Sequence, residues 1–191
     1  MTLFYGLGNN ENKYLNTKHN VGRIIVGNLA QKLEINFTEI KGCYLAKSID
    51  FWFVYTNGYM NNCGEPLAEL LRYYKVDIAK DFDLIIVQDD SDQIVGNAKL
   101  SLGGGTAGHN GIISVYKEMA FLGFEQARIW RLKVGIRPEG NKLKSETFVL
   151  TKNSIEDEKT VVGVSLKLFE NLVAIKGNQF DKLQKIINTK A

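Results

Sequence analysis

Apolar residues in this 191-residue chain fall into short runs that switch between two spacings. Leu3 to Leu7 is a nearly unbroken apolar run beside glycines, which predicts a buried strand running into a turn. Val21, Ile24, Ile25, Leu29 and Leu33 then recur at helical spacing, with Asn16 or Thr17 placed to cap the helix. Tyr44–Ile49 and Phe51–Thr56 are β-rich runs separated only by Asp50, which predicts a hairpin. Glu65-Pro66 opens a second helix through Leu67, Leu70, Leu71 and Tyr74, with proline near its first turn. Leu84–Val87 is another apolar strand, and it ends in Gln88-Asp89-Asp90-Ser91-Asp92, which reads as an acidic turn. Lys99–Leu102 reads as a strand, Ile112–Met119 as a helix, and Ile129–Ile136 alternates apolar and basic residues as a half-exposed strand would. The tail carries two amphipathic helices. One has a face at Ile155, Val162, Leu166, Phe169 and Val173, the other at Phe180, Leu183, Ile186 and Ile187.

Strands alternating with helices predict an α/β fold: a single domain over residues 1–191, with a mixed central β-sheet flanked by helices on both faces, an α/β/α sandwich. Ligands in such folds bind beyond the carboxyl ends of the strands. The loops after Leu7, Thr56, Val87 and Leu102 are therefore the places to look for chemistry.

Composition narrows the class only a little. Apolar content of 45% and charged content of 24% are ordinary for a globular chain. The net charge of +3 is a mild lean toward polyanions, short of a basic nucleic-acid module. No run approaches the roughly 18–20 apolar residues that span a bilayer. The start of the chain, Met1-Thr2-Leu3-Phe4-Tyr5, lacks a basic leader segment, so a cytoplasmic location is expected. Cys43 and Cys63 fit neither a disulfide framework nor a zinc site.

The loops hold the informative residues. Leu102-Gly103-Gly104-Gly105-Thr106-Ala107-Gly108-His109-Asn110-Gly111 packs five glycines, a histidine and an asparagine into ten positions. The only other histidine, His19, lies in Thr17-Lys18-His19-Asn20-Val21-Gly22. Glycine admits a ligand close to the backbone, asparagine offers a neutral donor and acceptor, and histidine titrates near neutral pH. A carboxylate at the end of the Leu84–Val87 strand can orient a histidine on a neighbouring loop, which is the base-plus-orienter half of a hydrolytic site. No serine sits in a nucleophile elbow, so the nucleophile of such a site is water. Asn9, Asn61 and Asn110 then hold carbonyls and an oxyanion.

Two other readings stay open on these residues. Gly103, Gly105 and Gly108, with Glu125 further on, formally match a dinucleotide fingerprint, whereas the P-loop pattern fails because His109-Asn110 stands where Lys-Ser/Thr is required. His19, His109, Asp89 and Asp92 can also be read as a metallohydrolase ligand set, which chelator resistance would exclude.

Taken together, the motifs resemble bacterial peptidyl-tRNA hydrolases over nearly the whole chain. The resemblance rests on Gly6-Leu7-Gly8-Asn9 with Tyr14, the Thr17–Gly22 segment, Tyr59-Met60-Asn61 with Gly64, and Asp89 through Asp92. It continues in the glycine run with His109-Asn110-Gly111, in Arg131-Leu132-Lys133-Val134-Gly135-Ile136, and in Phe148-Val149-Leu150. It implies a monomeric esterase without metal or cofactor that cleaves peptidyl-tRNA. By position, His19 is the general base and Asp89 its partner. Asn9, Asn61 and Asn110 bind substrate and water, Tyr14 and Met60 line the cleft, and Asn20 and His109 support it. Lys99 and Lys133 contact tRNA phosphate. The chain departs from the family pattern at Asn10-Glu11, where Pro-Gly is usual, at Gln88 and Ser91, and at Lys133 and Ser101, where arginine and a second basic residue are common. The resemblance thus implies intact chemistry with a thinned grip on tRNA.

Overall fold

The computed structural model describes residues 1–76, 83–176 and 179–188. Seven strands form one sheet. In chain order they are β1 (Thr2–Gly6), β2 (Thr38–Ile40), β3 (Cys43–Lys47), β4 (Phe51–Thr56), β5 (Asp83–Ile94), β6 (Ala98–Leu102) and β7 (Trp130–Arg137). Their spatial order is β2-β3-β4-β1-β5-β7-β6. The central β4-β1-β5-β7 ladder is parallel, while β2-β3-β4 and β7-β6 are antiparallel, so the sheet is mixed as expected. The predicted hairpin is β3–β4; the short edge strand β2 carries too little apolar signal to read from sequence.

Helices cover both faces. The described α-helices are α1 (Val21–Lys32), α2 (Gly64–Tyr73), α3 (Asn110–Phe121), α4 (Ser145–Phe148), α5 (Ile155–Glu170), α6 (Leu172–Lys176) and α7 (Phe180–Asn188). On one face α1, α5 and α7 bury Phe4, Val87, Leu100 and Leu132; on the other, α2 and α3 bury Leu3, Tyr5, Leu84 and Ile86. Alternate residues of β1 and β5 thus feed opposite cores, which is why their runs are apolar throughout.

Four expectations are corrected. Neither Asn16 nor Thr17 caps α1. The Thr17 hydroxyl turns back to the Tyr14 carbonyl, and a 3-10 turn at Lys18–Asn20 leads into the helix. The acidic turn after Val87 is strand: β5 continues to Ile94, paired with β7 through Asp90 and shifting register before Ile94. Low-propensity residues extend because a neighbouring strand satisfies their backbone, and the irregularity is a bulge of the kind that re-aims side chains. The third correction concerns α5. Ile155 is 73% exposed and Val162 and Leu166 also face out, while Val161, Val164 and Leu168 are buried; Val173, 83% exposed, falls in the separate helix α6. The helix has two apolar stripes; the one with Val161, Val164 and Leu168 packs with α1 in the core, where the Asn28 amide also bonds the Ser165 hydroxyl. Lastly, β7 is more buried than its alternation suggests, since Arg131, its second residue, is only 1% exposed.

At the far edge, α7 lies along β6. Asn188 and Gln184 side-chain amides bond the backbone of Leu100 from the side that no strand covers. Among the described residues no helix is long and apolar enough to cross a membrane.

Candidate active site

The carboxyl ends of β1, β4 and β5 open into a cleft of about 650 Å³. His19 reaches it from the 3-10 turn before α1, and that turn can sit close to β5 because residue 22 is glycine. A Cβ there would collide with the carbonyl of Val87. His19 is thereby brought over the first polar residues of β5.

Asp89 is 3% exposed and meets both histidines of the chain with one oxygen. Its Oδ1 lies 2.8 Å from His19 Nδ1 and 3.1 Å from His109 Nε2, and the two rings stand 5.0 Å apart. Burial works to raise the Asp89 pKa, but electrostatic attraction to His19 and His109 and hydrogen bonds from both rings outweigh it and hold the carboxyl well below the usual range. An ionised carboxylate only accepts, so both ring nitrogens facing it donate. His109 Nδ1 in turn accepts from the Gly111 N–H at 3.2 Å, which fixes His109 as the neutral Nε2–H tautomer. His19 has Nδ1–H committed to Asp89 and keeps Nε2 as its basic nitrogen. Burial disfavours the His19 imidazolium, but Asp89 by charge and hydrogen bond raises its pKa above the ordinary value.

Asn9 lines the cleft and is set with equal care. Its Oδ1 accepts from the Met60 N–H at 2.8 Å, so its Nδ2 donors are left for a ligand. Its backbone is clamped on both sides by Asn20, whose Oδ1 accepts from Asn9 N at 2.7 Å and whose Nδ2 donates to Asn9 O at 2.8 Å. Asn20 is fully buried. It positions Asn9 from beneath the cleft and does not line it. Asn10, where the family has proline, bonds Gly58 O through its backbone and Asn57 through its side chain. A cross-loop amide pair thus holds the turn that a proline ring would stiffen.

Tyr14, Asn61 and Asn110 line the same cleft, with Met60 at 2% exposure in its wall. Lys133 lines it from β7. Lys99 is exposed on β6 directly opposite Lys133 but outside the cleft lining. Ser101 stands opposite Arg131, and its Oγ is buried without a hydrogen-bond partner. It is therefore not an open surface position awaiting a cation. Arg131, which in sequence is only one member of an alternating strand, is a buried guanidinium held by neutral acceptors. Its Nε donates to Gln88 Oε1 at 2.8 Å and its Nη1 to Gly105 O at 2.5 Å.

That geometry also settles the glycine run. The run follows an antiparallel edge strand, and Gly104 and Gly105 turn carbonyl oxygens, not N–H groups, toward Arg131. A dinucleotide cradle needs a parallel βαβ unit and converging N–H donors. Asp92 lies outside the histidine cluster, its N–H bonded to Asp90 Oδ1. His19, Asp89 and His109 do offer ligand atoms within 4.8 Å of one another. In the tautomers given above, however, the nitrogens facing Asp89 both carry protons. Cys43 and Cys63 are pushed up to about 12, chiefly by burial, which removes them as nucleophiles.

Comparison with known proteins places the chain in a family. The peptidyl-tRNA hydrolase from Acinetobacter baumannii shares the fold, with a TM-score of 0.84 at 23% identity, covering 100% of this chain and 95% of that one. An arginine-to-glutamine mutant of that hydrolase superposes with a TM-score of 0.85 over the same coverage, again at 23% identity. A hydrolase crystallised with N-propanol gives 0.84 at 23% identity. The family model described as "Peptidyl-tRNA hydrolase" matches residues 3–191, and the chain belongs to that family.

Proposed function

We propose that this chain hydrolyses the ester that joins a peptide to the 3′ end of tRNA, using water activated by His19. The observation that carries the reading is the His19–Asp89 contact. A buried, ionised carboxylate holds Nδ1–H and leaves Nε2 basic beside a cleft lined with neutral amides. Water bound at Nε2 gives up its proton as its oxygen attacks the ester carbonyl. Asn9 Nδ2 is the placed donor for the oxyanion, because Met60 occupies the other end of that amide. The imidazolium, steadied by Asp89, then protonates the departing 3′ oxygen, and free peptide and tRNA leave. Asn61 and Asn110 bind peptide carbonyls and the terminal nucleotide, Tyr14 and Met60 pack against them, and Lys133 with Lys99 contacts phosphate. The enzyme works as a monomer without a cofactor.

The test is turnover of purified peptidyl-tRNA by wild type and by His19→Ala. Peptide release by the wild type and its near loss in the variant support the reading. Tight tRNA binding without release would make the protein a binding module. The compact His19–Asp89–His109 group supports a second reading, a metal-assisted hydrolase. Activity lost to EDTA and restored by a divalent ion would select it, provided magnesium-replete tRNA is supplied after chelation.

A further inference from the structure

One end of the outer wall of the cleft is fastened by a single side chain. We propose that Arg137 is a positioning residue for substrate binding: it latches the segment 138–145 to the end of β5 and so sets where α4 stands over the cleft. This rests on the cleft being the peptidyl-tRNA site proposed above.

Arg137 is the last residue of β7 and spends its guanidinium on that segment. Its Nε donates to Ser91 O at 2.6 Å, on the bulged part of β5. Nη1 donates to Leu143 O at 2.8 Å and to the backbone and side-chain oxygens of Asn141, both at 3.2 Å. Nη2 reaches Ser145 Oγ at 3.2 Å, and Cζ lies 4.8 Å from the Phe148 ring centre. Ser91 and Ser145 close the ring with a hydroxyl pair at 2.9 Å. Residues 138–144 have no helix or strand of their own, so these bonds take the place of a backbone ladder. Every acceptor is neutral, and only a planar fork can reach all of them together.

What the latch holds is functional surface. Ser145, Glu146, Val149 and Leu150 line the cleft. The far end of α4 is fastened separately, His19 N to Val149 O at 2.8 Å and Lys18 N to Thr151 O at 3.0 Å. The wall is therefore a strap with two fastenings, one at the base and one at Arg137. Releasing the Arg137 end loosens the wall and leaves the His19–Asp89 pair in place. An interaction of that kind contributes equally to ground-state and transition-state binding, so its loss appears in KM and spares kcat.

The experiment compares wild type with Arg137→Met, Arg137→Lys and Ser91→Ala/Ser145→Ala on peptidyl-tRNA, together with amide hydrogen exchange. For Arg137→Met we expect KM to rise about tenfold with kcat within about twofold, and amides of 141–150 to exchange faster while those of β1 and α1 do not. Arg137→Lys should recover little, because an ammonium cannot serve the fork, and the double serine variant should raise KM by about threefold. KM unchanged in Arg137→Met despite faster exchange overturns the proposal. So does a fall in kcat at constant KM, which would make Arg137 act on the base. If Arg137→Met does not fold, an unchanged KM in the double serine variant overturns it. A wild type without turnover would sink the proposed function instead; exchange confined to 141–150 would then still support the latch, and unaltered exchange would refute it.

Discussion

The two walls of the cleft are built by opposite means. On the inner wall, Leu7 N bonds Val87 O and Arg23 N bonds Leu7 O, so β1, α1 and β5 are joined by backbone. Asn20, fully buried, then clamps Asn9 from both sides. On the outer wall, residues 138–145 hang from the Arg137 side chain. In the proposed function the inner wall carries the groups whose placement decides chemistry, where an error of about 1 Å can cost about 10²-fold. The outer wall has only to bound a substrate whose peptide varies. Precision is located where the core closes on the backbone, and tolerance where side chains do the holding.

The sharpest way to break this contrast is His19→Ala. A positioned base contributes roughly 10²–10⁴-fold, so kcat should fall by that order with the fold unchanged by circular dichroism. Residual activity near wild type would remove the inner wall from the chemistry. Next is Asp89→Asn, expected to lower kcat by about 10²-fold more than it changes KM, through the wrong His19 tautomer. The pH profile adds a sign. His19 must be neutral to act, and its pKa is raised, so activity in the wild type should fall through an acid limb lying above about 6.5. Without the Asp89 charge, burial alone acts on the imidazole, and the limb should move to lower pH as the plateau drops. A limb that stays put would show that Asp89 does not govern His19. Asn20→Ala comes third: leaving the Asn9 backbone groups unpaired should cost about 2–3 kcal/mol of stability and lower kcat, measured by urea unfolding and turnover. The smallest effect belongs to β6, the strand at the end of the sheet. Lys99→Ala should flatten the salt dependence of tRNA binding by about 0.7–0.9 log units per log unit of salt, one phosphate contact, without touching release from a minimal peptidyl-nucleotide.

Much of the inner wall is legible in the amino-acid sequence. His19, Asp89, Asn9, Asn61 and Asn110 lie in short motifs that stand out locally, and the structure brings all five to one cleft. What stays hidden depends on distant partners. The bonds that fix Asn20 and His109 reach other segments, the Asn9 backbone for one and the Asp89 carboxylate for the other. The inward stripe of α5 is set by packing on α1, whose Asn28 bonds Ser165 from 137 residues away. Arg131 and Arg137 look like the basic half of an alternating strand, since nothing local marks one as buried and the other as a latch. The extension of β5 through acidic residues is likewise a gift of β7, not of propensity.

The clasp that α7 places on β6 has a consequence in time. The strand edge at Leu100 and the amide that closes it at Asn188 are separated by 88 residues. At roughly 5–20 residues per second, synthesis leaves that edge open for about 4–18 s after the strand has been made. Throughout that interval a strand ladder with unpaired N–H and C=O groups is available to any other nascent chain. The order of synthesis thus makes the last helix the step that ends this chain's exposure to sheet-edge association. Conditions that slow translation over residues 103–188 should increase co-translational aggregation more than they change the stability of the finished protein.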